Sequence, residues 1–314
     1  MENFFRFIQE RHYMWLDRFI LKNEAPWTKD VILNNYKYTN VYRDLDRNTV
    51  WSIMNIVNNE NMHMDAKIFN TFMYRLINNP DLIADAGGLP NFADQIPEFL
   101  DRLIEIEILF KQKGKTVFTN AYFIRPTQPK MNKLEGYVKN IFRPLLEDLE
   151  TFSNVLFFGS PKEFMKYVTG YTAVGDFIGY ELYCDFVHLG VPNWDFNSYV
   201  NAGPGADLGL MRVYGKTPKG NPAKVKAITD LRDEFPKFIM KEGLTFAFLD
   251  EDLKVNLRVI EHSLCEYHKY CTQQDALREG NNRQRRMKFV NRAEKPGDYL
   301  NDYYDKLKIY LVNE

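Results

Sequence analysis

Cysteine is scarce in this chain of 314 residues, which contains only Cys184, Cys265 and Cys271. Three thiols cannot build the disulfide framework of a small secreted protein, and an iron–sulfur cluster normally needs four thiolates. The chain is 45% hydrophobic, so it can bury a sufficient core without such cross-links. We therefore expect a globular protein of the reducing cytoplasm.

Net charge is also nearly absent, because 41 Lys and Arg residues oppose 42 Asp and Glu residues. The overall charge therefore indicates no particular partner, and any DNA contact must depend on a local patch. The apolar N-terminus MENFFRFIQERHYMWLDRFI is interrupted by charges such as Arg6, Glu10 and Arg11, which argues against a signal peptide or a membrane span. We expect no membrane partner.

Two familiar site motifs are incomplete in the sequence. Within residues 209–217, five residues separate the two glycines where a phosphate-binding loop needs four, and no buried strand precedes them. A second set recurs every three residues, at His262, Cys265, His268 and Cys271. On a helix this spacing rotates the side chains too far for one ion to bind all four. The sequence thus predicts neither a nucleotide kinase of the phosphate-loop type nor a metal centre.

Helical periodicity dominates what is present. Apolar residues repeat at helical spacing up to Pro26, and Thr28 or Asp30 can cap a second helix. Similar patterns recur along the chain, and Ser160 followed by proline is typical of a helix start. TVFTNAYFI, residues 116–124, is the best candidate for a strand. We predict a mostly α-helical fold with at most a minor β element near 116–124.

A charged face is predicted within YTNVYRDLDRNTVW, where a helical projection places Asn40, Arg43 and Arg47 on one side. Asp46 flanks that face. Guanidinium groups bind two oxygens at once, so two arginines beside a carboxylate could hold a phosphate or diphosphate. A surface ladder of ion pairs is the alternative interpretation of these charges.

Glycine-bearing turns precede two predicted helices. Gly203, Pro204 and Gly205 lie directly before one, and Gly175 lies before the other. Free amides at a helix N-terminus attract anions, and glycine allows a phosphate to approach the backbone closely. A tight structural turn is the competing interpretation at both places.

In VIEHSLCEYHKY, an apolar stripe is predicted to face the core, and Glu261, Cys265, His268 and Lys269 form an adjacent stripe. An acid, a thiol, an imidazole and an amine on one stripe are sufficient for acid–base chemistry. A solvated helix face would give the same pattern.

One short, polar window near the C-terminus is locally basic and includes Arg283, Arg285 and Arg286. These side chains could contact DNA phosphates, or they could simply be solvated.

Three of these segments together resemble, in order, the signature blocks of one viral family. The blocks are PWTKDVILNNYKYTNVYRDLDRNTVW (26–51), AGPGADLGL (202–210) and IEHSLCEYHKY (260–270). The family is that of the α-glutamyl/putrescinyl thymine pyrophosphorylases, with the related helical domain of 5-hydroxymethyluracil DNA kinases. The resemblance implies that 5-hydroxymethyluracil in DNA is first pyrophosphorylated, and that a helical enzyme then replaces the pyrophosphate with an amine or amino acid. Kinase members carry a phosphate-loop motif, which is not found here, and this favours the transferase step.

The resemblance implies a fold similar to the helix-hairpin-helix DNA glycosylases, as one domain over 1–314 or as two helical subdomains of about 1–160 and 161–314 with the active site between them. The expected partners are double-stranded DNA containing modified uracil, an amino acid or polyamine co-substrate, and a hydroxymethyluracil DNA kinase. The resemblance establishes no cofactor, and Mg²⁺ is the one candidate. For a virus-encoded protein the compartment is the host cytoplasm.

Candidate roles follow from combining the resemblance with the residue patterns. The proposed catalytic set comprises Arg43, Asp46, Arg47, Glu261, Cys265 and Lys269. The proposed DNA-binding or phosphate-binding set comprises Asn40, Gly175, Gly203, Pro204, Gly205, Arg283, Arg285 and Arg286. Two alternatives stay open, namely a glycosylase that uses Asp185 or Asp195 and a non-catalytic module that reads DNA beside a separate kinase.

Overall fold

The structure is a computed structural model that describes residues 1–118, 125–190, 193–246, 254–280 and 298–307. In chain order the α-helices are α1 (Glu2–Trp15), α2 (Val31–Asn35), α3 (Arg47–Ser52), α4 (Met64–Ile77), α5 (Pro80–Asp85), α6 (Ile96–Gln112), α7 (Lys133–Tyr137), α8 (Arg143–Glu147), α9 (Leu149–Phe158), α10 (Pro161–Val168), α11 (Asp176–His188), α12 (Pro204–Tyr214), α13 (Asn221–Lys241), α14 (Leu257–Arg278) and α15 (Asp298–Leu307). Short π-helical turns lie at Leu16–Ile20, Ile53–Val57 and Val138–Phe142, and 3-10 turns lie at Arg43–Leu45 and Ala93–Gln95.

The prediction of a mostly α-helical fold is confirmed. The described residues contain no β-strand. Of the β element expected near 116–124, residues 116–118 are not in a strand, and residues 119–124 lie outside the described residues. Within the described part of the chain, every helix is too short or too polar to cross a membrane.

Two helices begin where the sequence predicted a cap. The carboxylate of Asp30 accepts hydrogen bonds from the amides of Ile32 (2.8 Å) and Leu33 (2.9 Å) and so starts α2. At α10 the Ser160 hydroxyl accepts from the Glu163 amide (3.3 Å), and the Glu163 carboxylate accepts from the Ser160 amide (2.7 Å). This reciprocal arrangement is a capping box, which satisfies amides that the first helical turn leaves unpaired.

The predicted helical face over residues 40–47 is wrong. Arg43–Leu45 form a 3-10 turn, Asp46 is extended with ψ of 136°, and α3 begins only at Arg47. The Asp46 carboxylate pairs with Arg43 and accepts from the Asn40 amide at 3.2 Å. These local bonds replace the helical backbone pattern, so Asn40, Arg43 and Arg47 do not share a helical face.

Contacts divide the chain into two compact units, one made of Met1–Arg47 with Val200–Glu314 and the other of Asn48–Tyr199. We call them unit 1 and unit 2. Compactness does not test independent folding, so the expected single domain, or two subdomains meeting near residue 160, stays a prediction.

Unit 1 is built around α14, which contacts α1, α2, α12 and α13. Aromatic rings fill the contact with α1, where the centroid of Phe4 lies 5.3 Å from that of Tyr267 and the centroid of Phe7 lies 5.0 Å from that of Tyr270. Edge-to-face and tilted rings at these distances add to the free energy of burial. The helix α14 is therefore the scaffold on which the rest of unit 1 is placed.

Unit 2 packs α4 against α11 and α9. Its core contains Phe72 with Phe152, and Phe164 with Phe186, each pair with centroids 5.7 Å apart. A buried Arg75 on α4 pairs with Glu181 and Asp185 on α11. Unit 2 thus combines an aromatic core with one buried ionic cluster.

Candidate functional site

A stripe of buried polar side chains runs along α14. Its members are at most 7% exposed and comprise Arg258, His262, Ser263, Glu266 and Gln273. Burying polar groups is unfavourable unless they find partners, so such a stripe on a core helix marks a candidate site. The functional stripe predicted from sequence, which contains Glu261 and Cys265, lies beside this buried one.

The segment 30–40 is held against α14 by three contacts, each about one helical turn from the next. They join the Tyr270 hydroxyl to Asp30 Oδ2 (2.5 Å), the Thr39 amide to Glu266 Oε2 (3.4 Å) and the Asn40 carbonyl to His262 Nε2 (3.0 Å). Residues four apart on a helix lie on one face, so all three contacts bind the same side of α14. The first and third signature blocks therefore pack directly on each other.

His262 serves to hold this segment. Its Nδ1 faces the Arg258 carbonyl at 2.8 Å, and its Nε2 faces the Asn40 carbonyl. Burial, together with the charges of Arg43 and Arg11, lowers the pKa of His262 well below its ordinary value. A neutral ring can donate to only one of the two carbonyls. Because both nitrogens face backbone oxygens, His262 is placed to position Asn40 rather than to take a proton from a substrate.

Arg43 is oriented by Asp46. Their side chains form an ion pair in which Arg43 is 22% exposed and Asp46 is 21% exposed. The other oxygen of Asp46 accepts from the Asn40 amide, and the Asn40 side chain donates to the Leu45 carbonyl at 2.8 Å. This small network fixes the direction of the guanidinium group. The predicted role of Asp46 as a base stays a prediction, and it would have to compete with these two bonds.

The second signature block meets the third through glycine. A Cβ added to Gly205 would lie 2.4 Å from Cys265 Sγ, and one added to Gly209 would lie 2.3 Å from the Leu264 carbonyl oxygen. Both positions require glycine because α12 crosses α14 at close range. The close approach expected at Gly205 therefore serves helix packing. An added Cβ on Gly203 would meet no described atom within 4 Å, so the backbone before α12 is open at this point. The Gly203 amide donates to the Asn201 carbonyl at 3.0 Å and Pro204 has no N–H, so the amides of Gly205 and Ala206 are the ones that an anion could contact.

Cys265 lies where several predicted catalytic charges meet. Burial raises the pKa of its thiol, Lys269 and Arg43 oppose that shift, and Glu266 and Glu261 add to it. The neutral thiol is therefore favoured at physiological pH, which argues against Cys265 as the attacking nucleophile. The charges of Arg43, Glu261 and Lys269 thus all act on one position of α14.

Other predicted site residues lie elsewhere. Arg47 is exposed at the start of α3, beyond Asp46. Gly175 is the N-cap residue of α11 in unit 2. The basic window with Arg283, Arg285 and Arg286 lies outside the described residues. The predicted residues on α12, on α14 and in segment 40–46 thus all lie in unit 1.

The carboxylates considered for glycosylase chemistry are both engaged. Asp185 forms two contacts with the Arg75 guanidinium, one of them from Nε at 2.6 Å. Asp195 Oδ1 accepts from the Asn197 amide at 2.9 Å and from the Ser198 hydroxyl at 2.6 Å. Neither geometry supports a carboxylate poised to attack a sugar carbon.

Arg11 and Glu266 were missed by the sequence reasoning. Arg11 is 5% exposed, donates from Nη2 to Ser263 Oγ at 2.8 Å, and has its guanidinium carbon 4.8 Å from the centroid of the Phe7 ring. Burial lowers the pKa of Arg11 to about 10, and the charge of Glu266 most strongly opposes this shift. The signal was a charge at position 11 on the apolar stripe of α1, one turn after Phe7.

The chain is similar to known proteins over most of its length. Residues 1–278 match the family described as 5-hmdU DNA kinase, helical domain. A 5-hmdU DNA kinase of Bacillus phage SP10 is 27% identical over 281 residues, which is 83% of this chain and 43% of that kinase. The chain therefore spans less than half the length of that relative. No solved structure matches this chain.

Proposed function

We propose, from the premise that this chain belongs to the family of the 5-hmdU DNA kinase helical domain, that it acts in thymine hypermodification as a DNA base-modification transferase. The substrate is double-stranded DNA carrying 5-(pyrophosphoryloxymethyl)uracil. The enzyme replaces the pyrophosphate with an amine or amino acid and leaves the strand intact.

One observation carries the proposal, namely that all three signature blocks pack on α14 near Cys265. Block one contributes Arg43, whose charge acts on Cys265; block two contributes the first turn of α12, where Gly205 lies against Cys265; and block three contributes Glu261 and Lys269. Cations and helix amides of this kind stabilise a departing diphosphate, whose negative charge grows as the bond breaks. A nearby carboxylate can take the proton that the attacking nitrogen must lose.

The proposed reaction is a substitution at the exocyclic methylene carbon of the base. The base leaves the stack so that its exocyclic methylene carbon can meet the nucleophile. The nitrogen lone pair forms the new C–N bond, the C–O bond to pyrophosphate breaks with its electron pair on oxygen, and one proton passes from nitrogen to a carboxylate. Arg43 and Lys269, with Arg47 at the edge, are the cations proposed to neutralise the leaving group.

A second candidate function is a non-catalytic module that reads modified DNA beside a kinase. It is favoured by the family's description as one domain of a kinase and by the SP10 relative, of which this chain spans 43%. This candidate predicts salt-sensitive binding to DNA that contains modified uracil, with no change of the base under any nucleophile.

The test is mass spectrometry of nucleosides from pyrophosphorylated hydroxymethyluracil DNA after incubation with the protein and a panel of amino acids and polyamines, with Mg²⁺ and with EDTA. The transferase predicts an aminated thymidine in at least one arm. Unchanged nucleosides in every arm, together with DNA binding, would favour the reading module instead.

The site is tested in the same assay with Arg43→Gln, which we expect to lower the rate about 100-fold, as for the loss of one oxyanion-stabilising donor. The matched control is Arg212→Gln. Arg212 joins α12 to α14 through Asp275 at 2.8 Å but is not among the charges that act on Cys265. Equal rates in the two variants would show that the site is wrongly assigned.

A further inference from the structure

Arg11 has hydrogen-bonding capacity that the described residues do not use. Its Nη2 donates to Ser263, but Nε and Nη1 are buried and have no hydrogen-bond partner among the described residues. A buried guanidinium with unused N–H groups is unfavourable by comparison with a fully paired one. Such a group is retained most readily where a ligand completes its contacts.

Two buried hydroxyls on the facing segment share this property. Tyr38 Oη and Thr39 Oγ1 have no partner among the described residues. Burial, followed by the charge of Glu266, raises the pKa of Tyr38, so its hydroxyl keeps its proton and can donate. Arg11, Tyr38 and Thr39 thus form a group of donors with free capacity on the α1 side of α14.

A carboxylate lies beside these donors. Glu266 is 4% exposed; its Oε2 accepts from the Thr39 amide at 3.4 Å, and its Oε1 pairs with Lys269. A carboxylate offers about four acceptor positions, so it can take a further donor. The charges of Asp46 and Arg43 also act on Arg11. The donor group therefore lies near the Arg43 side of the proposed reaction site.

We propose that Arg11 and Glu266 form the co-substrate subsite and that its ligand is an α-amino acid rather than a polyamine. This inference rests on the proposed transferase function. The guanidinium and the hydroxyls of Tyr38 and Thr39 bind the carboxylate of the amino acid. Glu266 binds its ammonium group and takes one proton from it, after which the nitrogen lone pair is free to attack the methylene carbon.

The charges of the subsite give it selectivity. A polyamine has no carboxylate, so it would leave the donors of Arg11 unused and bring a second cation beside the guanidinium. Both effects weaken the binding of a polyamine. Hydrogen-bond donors left without an acceptor, and repulsion between like charges, are general sources of specificity. Binding requires residues 37–40 to open, because the nitrogens of Arg11 lie below the surface. These residues have no regular secondary structure.

The experiment measures binding directly by equilibrium dialysis, with and without an unreactive DNA duplex. Each amino acid of a panel is compared with its own decarboxylated amine and with its methyl ester, so that ligands differ only at the carboxylate. We expect at least one amino acid to bind more than 10-fold tighter than its amine and its ester. This part uses the unaltered protein and does not depend on how any variant folds.

Variants then assign the residues. Arg11→Lys keeps the charge but loses the planar fork, and we expect it to remove the preference for the amino acid over its amine. Glu266→Gln should weaken both ligands, and Arg212→Gln should leave both unchanged. Equal affinities for amino acid and amine, a preference that survives Arg11→Lys, or no amino acid bound with or without DNA would overturn the proposal.

The two proposals fail in different ways. Selective amino-acid binding without any product on pyrophosphorylated DNA would refute the transferase but keep the subsite. Product formed at the normal rate and with normal KM for the amino acid by both Arg11→Lys and Glu266→Gln would keep the transferase and refute the subsite.

Discussion

Both compact units bury arginine between helices, and Arg75 of unit 2 differs from Arg11 of unit 1 in its partners. Arg75 in unit 2 is 8% exposed, with Nε 2.6 Å from Asp185 Oδ2 and Nη1 3.2 Å from Glu181 Oε2. Arg11 in unit 1 is 5% exposed, and among the described residues it donates a hydrogen bond to the neutral hydroxyl of Ser263. A buried charge paired with two carboxylates holds helices together, whereas one with unused donors has capacity for a ligand.

The largest expected effect tests this comparison through stability. Arg75→Met leaves Glu181 and Asp185 buried without their cation, so we expect a loss of about 3–5 kcal/mol in the free energy of unfolding. Arg11→Met removes one positive charge that acts on Glu266, but the Glu266 carboxylate still pairs with Lys269. We therefore expect the free energy of unfolding to fall by less than about 2 kcal/mol. Urea unfolding followed by circular dichroism measures both.

The same two variants should rank in the opposite order for binding of the amino-acid ligand, measured on folded protein at low temperature. Arg75→Met should bind it normally if it folds, and Arg11→Met should not. Equal loss of stability in the two variants would break the comparison, because it would mean that Arg11 is as structural as Arg75.

The next effect concerns the contact between α12 and α14 in unit 1. Gly209→Ala places a methyl group against the Leu264 backbone, which cannot move away cheaply, and we expect a loss of about 1–3 kcal/mol. Gly203→Ala is the matched control, since a Cβ there meets no described atom within 4 Å. Thermal unfolding of the two variants measures the difference.

Gly205→Ala sharpens this result, because its main obstacle is the Cys265 side chain. Adding Cys265→Ala should recover part of the stability that Gly205→Ala loses. If the double variant were as unstable as the sum of the single ones, the glycine would not be serving that contact.

The sequence alone was sufficient to predict structural features that depend only on residues close together in the chain. The caps at Asp30 and Ser160 depend on residues within three positions of the helix start, and both were predictable. The signature blocks also predicted which segments matter. Their convergence on α14 could only be expected from the resemblance, because contacts such as Asn40 with His262 join residues 222 positions apart.

Features set by tertiary structure were not predictable. The helical projection placed Arg43 and Arg47 on one face, but Asp46 binds Arg43 and the Asn40 amide and so interrupts the helix. The predicted stripe of α14 missed Glu266, because a helical pattern does not say which polar face a distant segment will cover. Only the packing of residues 38–40 on α14 buries it.

The capping residues allow a smaller comparison between the units. Ser160→Ala in unit 2 and Asp30→Ala in unit 1 should each lower stability by about 1 kcal/mol through the loss of a helix cap. Asp30 also accepts from Tyr270 on α14, so only its removal should loosen the segment that carries Thr39 and Asn40. Hydrogen exchange of the amides in residues 37–43 measures this.

Faster exchange there in Asp30→Ala and unchanged exchange in Ser160→Ala are the expected results. Transfer activity should fall with Asp30→Ala alone, because Arg43 follows this segment in the chain. Equal exchange in both variants would show that the segment is held without the contact between Asp30 and Tyr270.

The smallest effects are expected at Cys265. Because burial raises the pKa of its thiol, the folded protein should have less thiolate than a free cysteine near pH 8, and alkylation should be slower and rise only at higher pH. Lys269→Gln removes a cation that favours the thiolate and should slow alkylation further, whereas Glu261→Gln should speed it, each by about 2–3-fold for a partly screened charge. Site-resolved mass spectrometry separates Cys265 from Cys184 and Cys271. Rapid alkylation at neutral pH would instead identify Cys265 as an activated nucleophile. Its thiolate could then compete with the neutral amine of the co-substrate for attack on the modified base.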